Sequence, residues 1–370
     1  MHRAPLIVLL ASLSAAAQQQ QAPTAAYDQP QFDVVFVLDT TSSMSGLIEG
    51  AKEKIWSIAS RMASGKPAPR IRIGLVAFRD QGDAYVTLPV DLTSDLDVVY
   101  ANLRAFKAQG GGDTPEHVGK GLADAVDLMH WHEGQRTAKM IFLVGDAPAH
   151  DDYQDGFGLE DVARRAIKKG IVVNTIRCGT DAATEKAFRS VARIADGTFA
   201  TIGQAGDMVK VVTPYDSKLE TMSDALAGKS LYGGSASGRA AGDARTREVL
   251  NLSGTSAADR LSYRAKAAVA AKTPTEVTAA GGFDLVLEPW RVEKLKDNEL
   301  PEAVRAVPAP QRRAWLERQR AERFDLEVDV KKVAAERDDW LVKNPGGAGG
   351  FDDTVMKKVR EKGTSVGIVY

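Results

Sequence analysis

Hydrophobic and polar positions alternate in two rhythms along the first half of this chain, and the rhythm changes after Pro214. Phe32–Leu38 is almost continuously apolar and β-branched, the pattern of a strand buried on both faces. Leu47, Ala51, Ile55, Ile58 and Met62 then recur at helical spacing. The alternation continues with strands at Ile71–Phe78, Met140–Val144, Ile171–Ile176 and Thr198–Ile202, and a short edge strand at Tyr85–Leu88. Between them, helices are marked by Leu96, Val99, Leu103 and Phe106, by Val118, Leu122, Ala125 and Met129, and by Asp161–Lys169 and Thr184–Ala195. Gly170 is placed to end the helix before it. Apolar strands separated by amphipathic helices predict an α/β fold, a doubly wound and mostly parallel sheet with helices on both faces. In such folds ligands sit at the carboxyl ends of strands, where the strand order reverses.

Beyond residue 213 a mainly helical region is expected over 214–370. Ala227–Ala244 is rich in Gly, Ala and Ser and reads as a flexible connection. Ala257–Ala271 favours helix, and Phe283–Trp290 reads as a strand or an extended packing segment. Pro310–Lys343 predicts a long helix with Leu316, Leu326, Val330, Val333 and Trp340 on one stripe. Gln319, Arg323 and Arg337 interrupt that stripe, which argues for packing on a neighbour rather than a continuous coiled coil. Gly346–Gly350 precedes a short C-terminal helix and the apolar end Val366–Tyr370.

At the start, a short basic pair and an apolar stretch ending in small residues at Ala15 and Ala17 predict a signal peptide over residues 1–17. A polar linker (18–31) follows, so the chain is expected to be exported to the periplasm or the extracellular space, with no transmembrane segment in the mature chain. The single cysteine, Cys178, falls in a strand-like run and reads as a buried thiol. Lys and Arg number 48 against 49 Asp and Glu, with no long basic block, so nucleic acid is not the expected partner.

The candidate chemistry lies at strand ends. Asp39, Thr41 and Ser43 alternate at the end of the first strand, so in an extended chain their side chains point the same way. One carboxylate and two hydroxyls make an all-oxygen cluster suited to a hard divalent cation. Thr114 follows the Gly110–Gly112 run, and Asp146 follows the strand Met140–Val144. Each feature has a local explanation as a turn or helix cap, but their coincidence in order and position does not.

Asp39-x-Thr41-x-Ser43, with Thr114 and Asp146, resembles the metal-ion-dependent adhesion site of von Willebrand factor A (vWA) domains, with Thr41 where Ser is usual. The resemblance covers residues 32–213 and implies a vWA domain binding Mg2+ or Mn2+. It implies that the motif hydroxyls hold the ion directly and that the aspartates act largely through water. One coordination position is left for a Glu or Asp of a protein partner. The expected function is an exported, metal-dependent protein-binding, adhesion or scaffold module. Two other uses of the ion are a hydrolase, with His150 as its candidate base, and a purely stabilising metal. His130 and His132 read as a solvated helix end. Arg79, Asp80 and Asp83 follow the second strand and are left out of the site. No serine-nucleophile elbow, zinc-protease motif or phosphate-binding loop is present.

Overall fold

The computed structural model describes residues 29–370 apart from 113, 151, 204–210, 253, 271–280 and 345–350. The predicted signal peptide and most of the linker therefore lie outside the described residues. A six-stranded sheet is built from β1 (Gln31–Asp39), β2 (Arg70–Phe78), β3 (Thr87–Thr93), β4 (Thr137–Gly145), β5 (Ile171–Cys178) and β6 (Phe199–Ile202). Its spatial order is β3-β2-β1-β4-β5-β6, and every pairing is parallel except β2 with β3. The order reverses at β1, so a crevice is expected where the carboxyl ends of β1 and β4 part.

All nine residues of β1 are buried, as its nearly continuous apolar run predicts, with Gln31, Asp33 and Asp39 buried among them. Successive side chains pack into different layers. Phe32, Val34, Phe36 and Leu38 join a core with α1 (Ser45–Ala63) and α2 (Leu96–Ala105). Val35 and Val37 join a second core with α3 (Val118–Asp127), α4 (Leu159–Lys168) and α5 (Ala182–Ile194). Phe36 and Phe142 stack across β1 and β4 with ring centroids 5.5 Å apart. Cys178 is buried at the end of β5. The edge strand begins at Thr87 rather than Tyr85 and runs on to Thr93. It tolerates Pro89 because an edge strand can leave one backbone position without a donor. Tyr85 instead turns its hydroxyl to Thr40 Oγ1, 2.8 Å away.

The C-terminal region contains α6 (Asp216–Gly228), α7 (Ala236–Leu250), α8 (Gly254–Ala270), the single turn α9 (Glu302–Arg305), α10 (Arg312–Lys343) and α11 (Phe351–Ser365). The antiparallel pair β7 (Tyr232–Gly234) and β8 (Gly282–Asp284) joins them. The reading of 227–244 as a flexible connection is corrected. That run holds the end of α6, all of β7 and most of α7. Its serine and glycines serve capping and close packing. Ser235 Oγ accepts the Gly238 N–H at 3.0 Å, and a Cβ on Gly242 would fall 2.1 Å from the Tyr232 ring.

On α10, Leu316, Val330 and Val333 are buried as predicted, and so are Arg323 and Arg337, the polar interruptions of the stripe. Both are neutralised: Arg323 meets Asp284 at 2.6 Å, and Arg337 meets Asp216 and Asp259 at 2.7 Å each. The predicted C-terminal helix is α11. It packs on α1 and β4 and inserts Val355, Met356 and Val359 into the first sheet core, with Ile368 beyond it. No helix among the described residues is long and apolar enough to cross a membrane.

Candidate metal site

The chain leaves β1 at Asp39, which is completely buried. Its Oδ1 accepts the Thr41 N–H at 2.9 Å and the Thr41 hydroxyl at 2.6 Å. Thr41 Oγ1 is in turn 3.3 Å from Ser43 Oγ, so the alternating residues of the motif form one connected chain of oxygens. Asp39 Oδ2 is buried and accepts no hydrogen bond. Burial pushes the Asp39 carboxyl up from its ordinary value of 3.8 to about 7. The bonds from Thr41 work against that rise, and the negative charge of Asp146 adds to it.

Asp146 follows β4, the neighbour of β1, and is half-buried. Gly145 lies directly beside Asp39: a Cβ there would sit in ordinary contact, 3.4 Å from Asp39 Oδ2. The Asp146 carbonyl accepts the Thr184 hydroxyl at 3.3 Å, which ties this loop to the first turn of α5.

Thr114 is exposed on the loop before α3. Gly110 and Gly111 turn that loop with φ of +80° and +76°, a region that favours glycine. The loop is bound to the motif: Gln109 N–H donates to Thr40 O at 3.1 Å, and Ser42 gives Gly110 O its N–H at 3.3 Å and its hydroxyl at 2.8 Å. Beyond Thr114 it pairs with the Asp146 loop, through Glu116 N–H to Pro148 O at 3.0 Å and His150 N–H to Glu116 O at 3.2 Å.

Three loops distant in sequence thus meet at the strand-order reversal. Asp39, Thr41 and Ser43 are hydrogen-bonded together, Asp146 stands beside Asp39, and Thr114 rides on a loop bound to both neighbours. Among the described residues no three His, Cys, Asp or Glu side chains converge as a metal-binding group. The donors here are two carboxylates and several hydroxyls, a set for a hard cation. They fit one, because a buried carboxylate with an oxygen that accepts no hydrogen bond, beside a second carboxylate, lacks positive charge.

Sequence reasoning missed the polar shell outside this set. His150 Nδ1 lies 2.8 Å from Asp152 Oδ1 and its Nε2 lies 3.3 Å from Asp80 Oδ2. Its ring stacks on Tyr153 at 4.0 Å, and the Tyr153 hydroxyl donates to Asp80 at 2.9 Å. His117 meets Asp155 at 2.9 Å. His130 and His132 lie beyond α3 rather than at its end, and His130 pairs with Asp91. The Arg-Asp pair closing β2 was a visible signal, but its use depends on β2 lying beside β1.

Residues 33–204 match the family described as von Willebrand factor A domain. The chain carries a vWA domain. It is 34% identical over 124 residues to von Willebrand factor A domain-containing protein 7 of Rattus norvegicus, covering 34% of this chain and 13% of that protein. It is 31% identical over 153 residues to hemicentin-2 of Mus musculus, covering 40% of this chain and 3% of that protein. The chain therefore matches only a small part of the length of these relatives. Among solved structures, it is similar to the vWA domain of SpRpn10 at 15% identity and TM-score 0.37, over 49% of this chain and 91% of that one. Another is proximal thread matrix protein 1 from the mussel byssus, described with a zinc-occupied metal site, at 19% identity and TM-score 0.37, over 47% of this chain and 42% of that one.

Proposed function

We propose that this chain is an exported, divalent-metal-dependent protein-binding module in which the vWA domain captures an acidic residue of its partner. The observation that carries the reading is the buried Asp39 carboxylate, with one oxygen accepting no hydrogen bond, at the meeting of the three loops that bear Thr41, Ser43, Thr114 and Asp146. The hydroxyls of Thr41, Ser43 and Thr114 would hold Mg2+ or Mn2+, with Asp39 and Asp146 balancing its charge largely through water. When bound, the ion would supply a directional, charge-based bond to a partner Glu or Asp. Asp39 and Thr41 would orient the cluster, while Ser43 and Thr114 stand exposed at the surface a partner would approach.

Binding is preferred to hydrolysis because the vWA family match and the all-oxygen ligand set both support coordination of a partner's acidic residue. His150 pairs with Asp152 through Nδ1 and stacks on Tyr153. Export rests on the signal-like residues 1–17.

The test is capture on the immobilised full chain from the native compartment in Mg2+. A partner should be retained in Mg2+, released by chelator and lost with Asp39→Ala, Thr114→Ala or Asp146→Ala, while circular dichroism stays unchanged. Capture that persists in excess chelator would sink the mechanism.

A further inference from the structure

The turn between β2 and β3 touches each of the three loops that bear the candidate ligands, although it contributes no ligand itself. Arg79 is buried, and its Nε donates to Thr40 O at 3.2 Å, inside the Asp39–Ser43 motif. Its Nη2 donates to Lys107 O at 2.7 Å, at the start of the glycine loop. The guanidinium lies 4.3 Å from the centre of the Tyr85 ring, and Tyr85 OH meets Thr40 Oγ1. The Arg79 carbonyl accepts the His117 N–H at 3.3 Å, just past Thr114. Asp83 Oδ2 accepts the Gly111 N–H at 3.2 Å. Asp80 accepts the Tyr153 hydroxyl and faces His150, on the loop that follows Asp146.

We infer that Arg79 and Asp83 are positioning residues of the metal site, holding the motif loop and the glycine loop in register before an ion arrives. The inference rests on the metal-binding reading above. Its physical basis is that a loop held in the binding geometry loses less entropy when the ion binds. Thr41 and Thr114 come from different loops, so their hydroxyls converge only if those loops keep their spacing. Backbone carbonyls at Thr40 and Lys107 are fixed by one buried guanidinium, and the positive-φ Gly111 is fixed by one carboxylate oxygen. Partners that orient ligands in this way commonly change metal affinity by about 10- to 100-fold when removed.

Mg2+ titration calorimetry on the full chain separates this inference from the reading beneath it. Asp83→Ala should bind Mg2+ about tenfold more weakly than wild type. Asp83→Asn keeps an acceptor oxygen without the charge and should restore most of the affinity, which loss of general stability or of long-range charge would not allow. Arg79→Met keeps the packing on Tyr85 and should also weaken binding, with the Asp83 pair carrying the test if that variant does not fold. Wild-type affinity in Asp83→Ala, or an Asp83→Asn as weak as Asp83→Ala, would overturn the positioning role while Asp39→Ala still abolished binding. If Asp39→Ala bound Mg2+ as wild type does, the metal-site reading itself would fall.

Discussion

Asp39 ties the site to the stability of the fold. Its carboxyl, raised from 3.8 to about 7, holds its proton more tightly in the folded state than in the unfolded one. The stabilising contribution of that proton is complete below about pH 3.8 and is lost as pH rises through about 7. In chelator, the wild type should therefore lose stability relative to Asp39→Asn between pH 5 and pH 8, by an amount on the order of a few kcal/mol. Saturating Mg2+ should rescue the wild type at pH 8 and leave the variant unchanged. Parallel pH profiles for the two proteins in thermal unfolding would contradict the account. The motif itself was legible because Asp39, Thr41 and Ser43 are close in sequence and chemically uniform. The helpers Arg79, Asp83 and Tyr153 were not, because their partners lie 28 to 73 residues away and become neighbours only through strand order.

At the scale of elements, β1, β2, β4 and β5 were readable from largely apolar runs, and α10 from its stripe. The failures have specific causes. Glycine and serine at 235–242 are cues for flexibility in isolation, but here they cap α7 and admit the Tyr232 ring. The arginines of α10 read as interruptions because their partners, Asp284, Asp216 and Asp259, lie in other elements. The helix α11 was expected, yet nothing local says that it docks on β4 and α1. It buries Val355, Met356 and Val359 completely, and Ile368 just beyond it. Burying each such side chain contributes about 1.5–3 kcal/mol, a large total against the roughly 5–15 kcal/mol stability of a typical domain. Removing residues 351–370 should lower the melting temperature by about 10 °C or more, or leave the protein unfolded, as read by circular dichroism. A truncated chain melting within about 2 °C of the full chain would show that α11 is not part of this core.

In the whole molecule, Tyr263 of α8 and the apolar residues of α11 join the sheet's first core, while the rest of the helical region builds two small cores of its own. Polar contacts between the two regions include Arg104 at the end of α2 with Glu248 of α7 at 2.6 Å, and a denser group lies at the other end of α2. Arg260 makes 2.7 Å bonds to both carboxylate oxygens of Asp97, and Arg245 joins it at 3.2 Å. Burial opposes the charge on Asp97, but Arg260, Arg245 and Arg264 hold its carboxyl well below the usual carboxylate range. Asp97 opens α2, just after the end of β3, and β3 runs antiparallel to β2, so this clamp lies near the amino ends of the parallel strands. The chain end is secured there too, with Val369 paired to Lys66 ahead of β2 and Arg136 Nε donating to Val366 O at 3.2 Å ahead of β4. The carboxyl ends, where the three loops meet, lie at the opposite end of the sheet, so a partner can approach the site without displacing those attachments. If these loops form a divalent-metal site, anomalous diffraction from crystals soaked in Mn2+ should reveal it. A manganese peak should stand between Asp39 and Asp146, with the hydroxyls of Thr41, Ser43 and Thr114 around it; no peak there, or manganese only at the His117 and His150 cluster, would contradict a metal site at these loops.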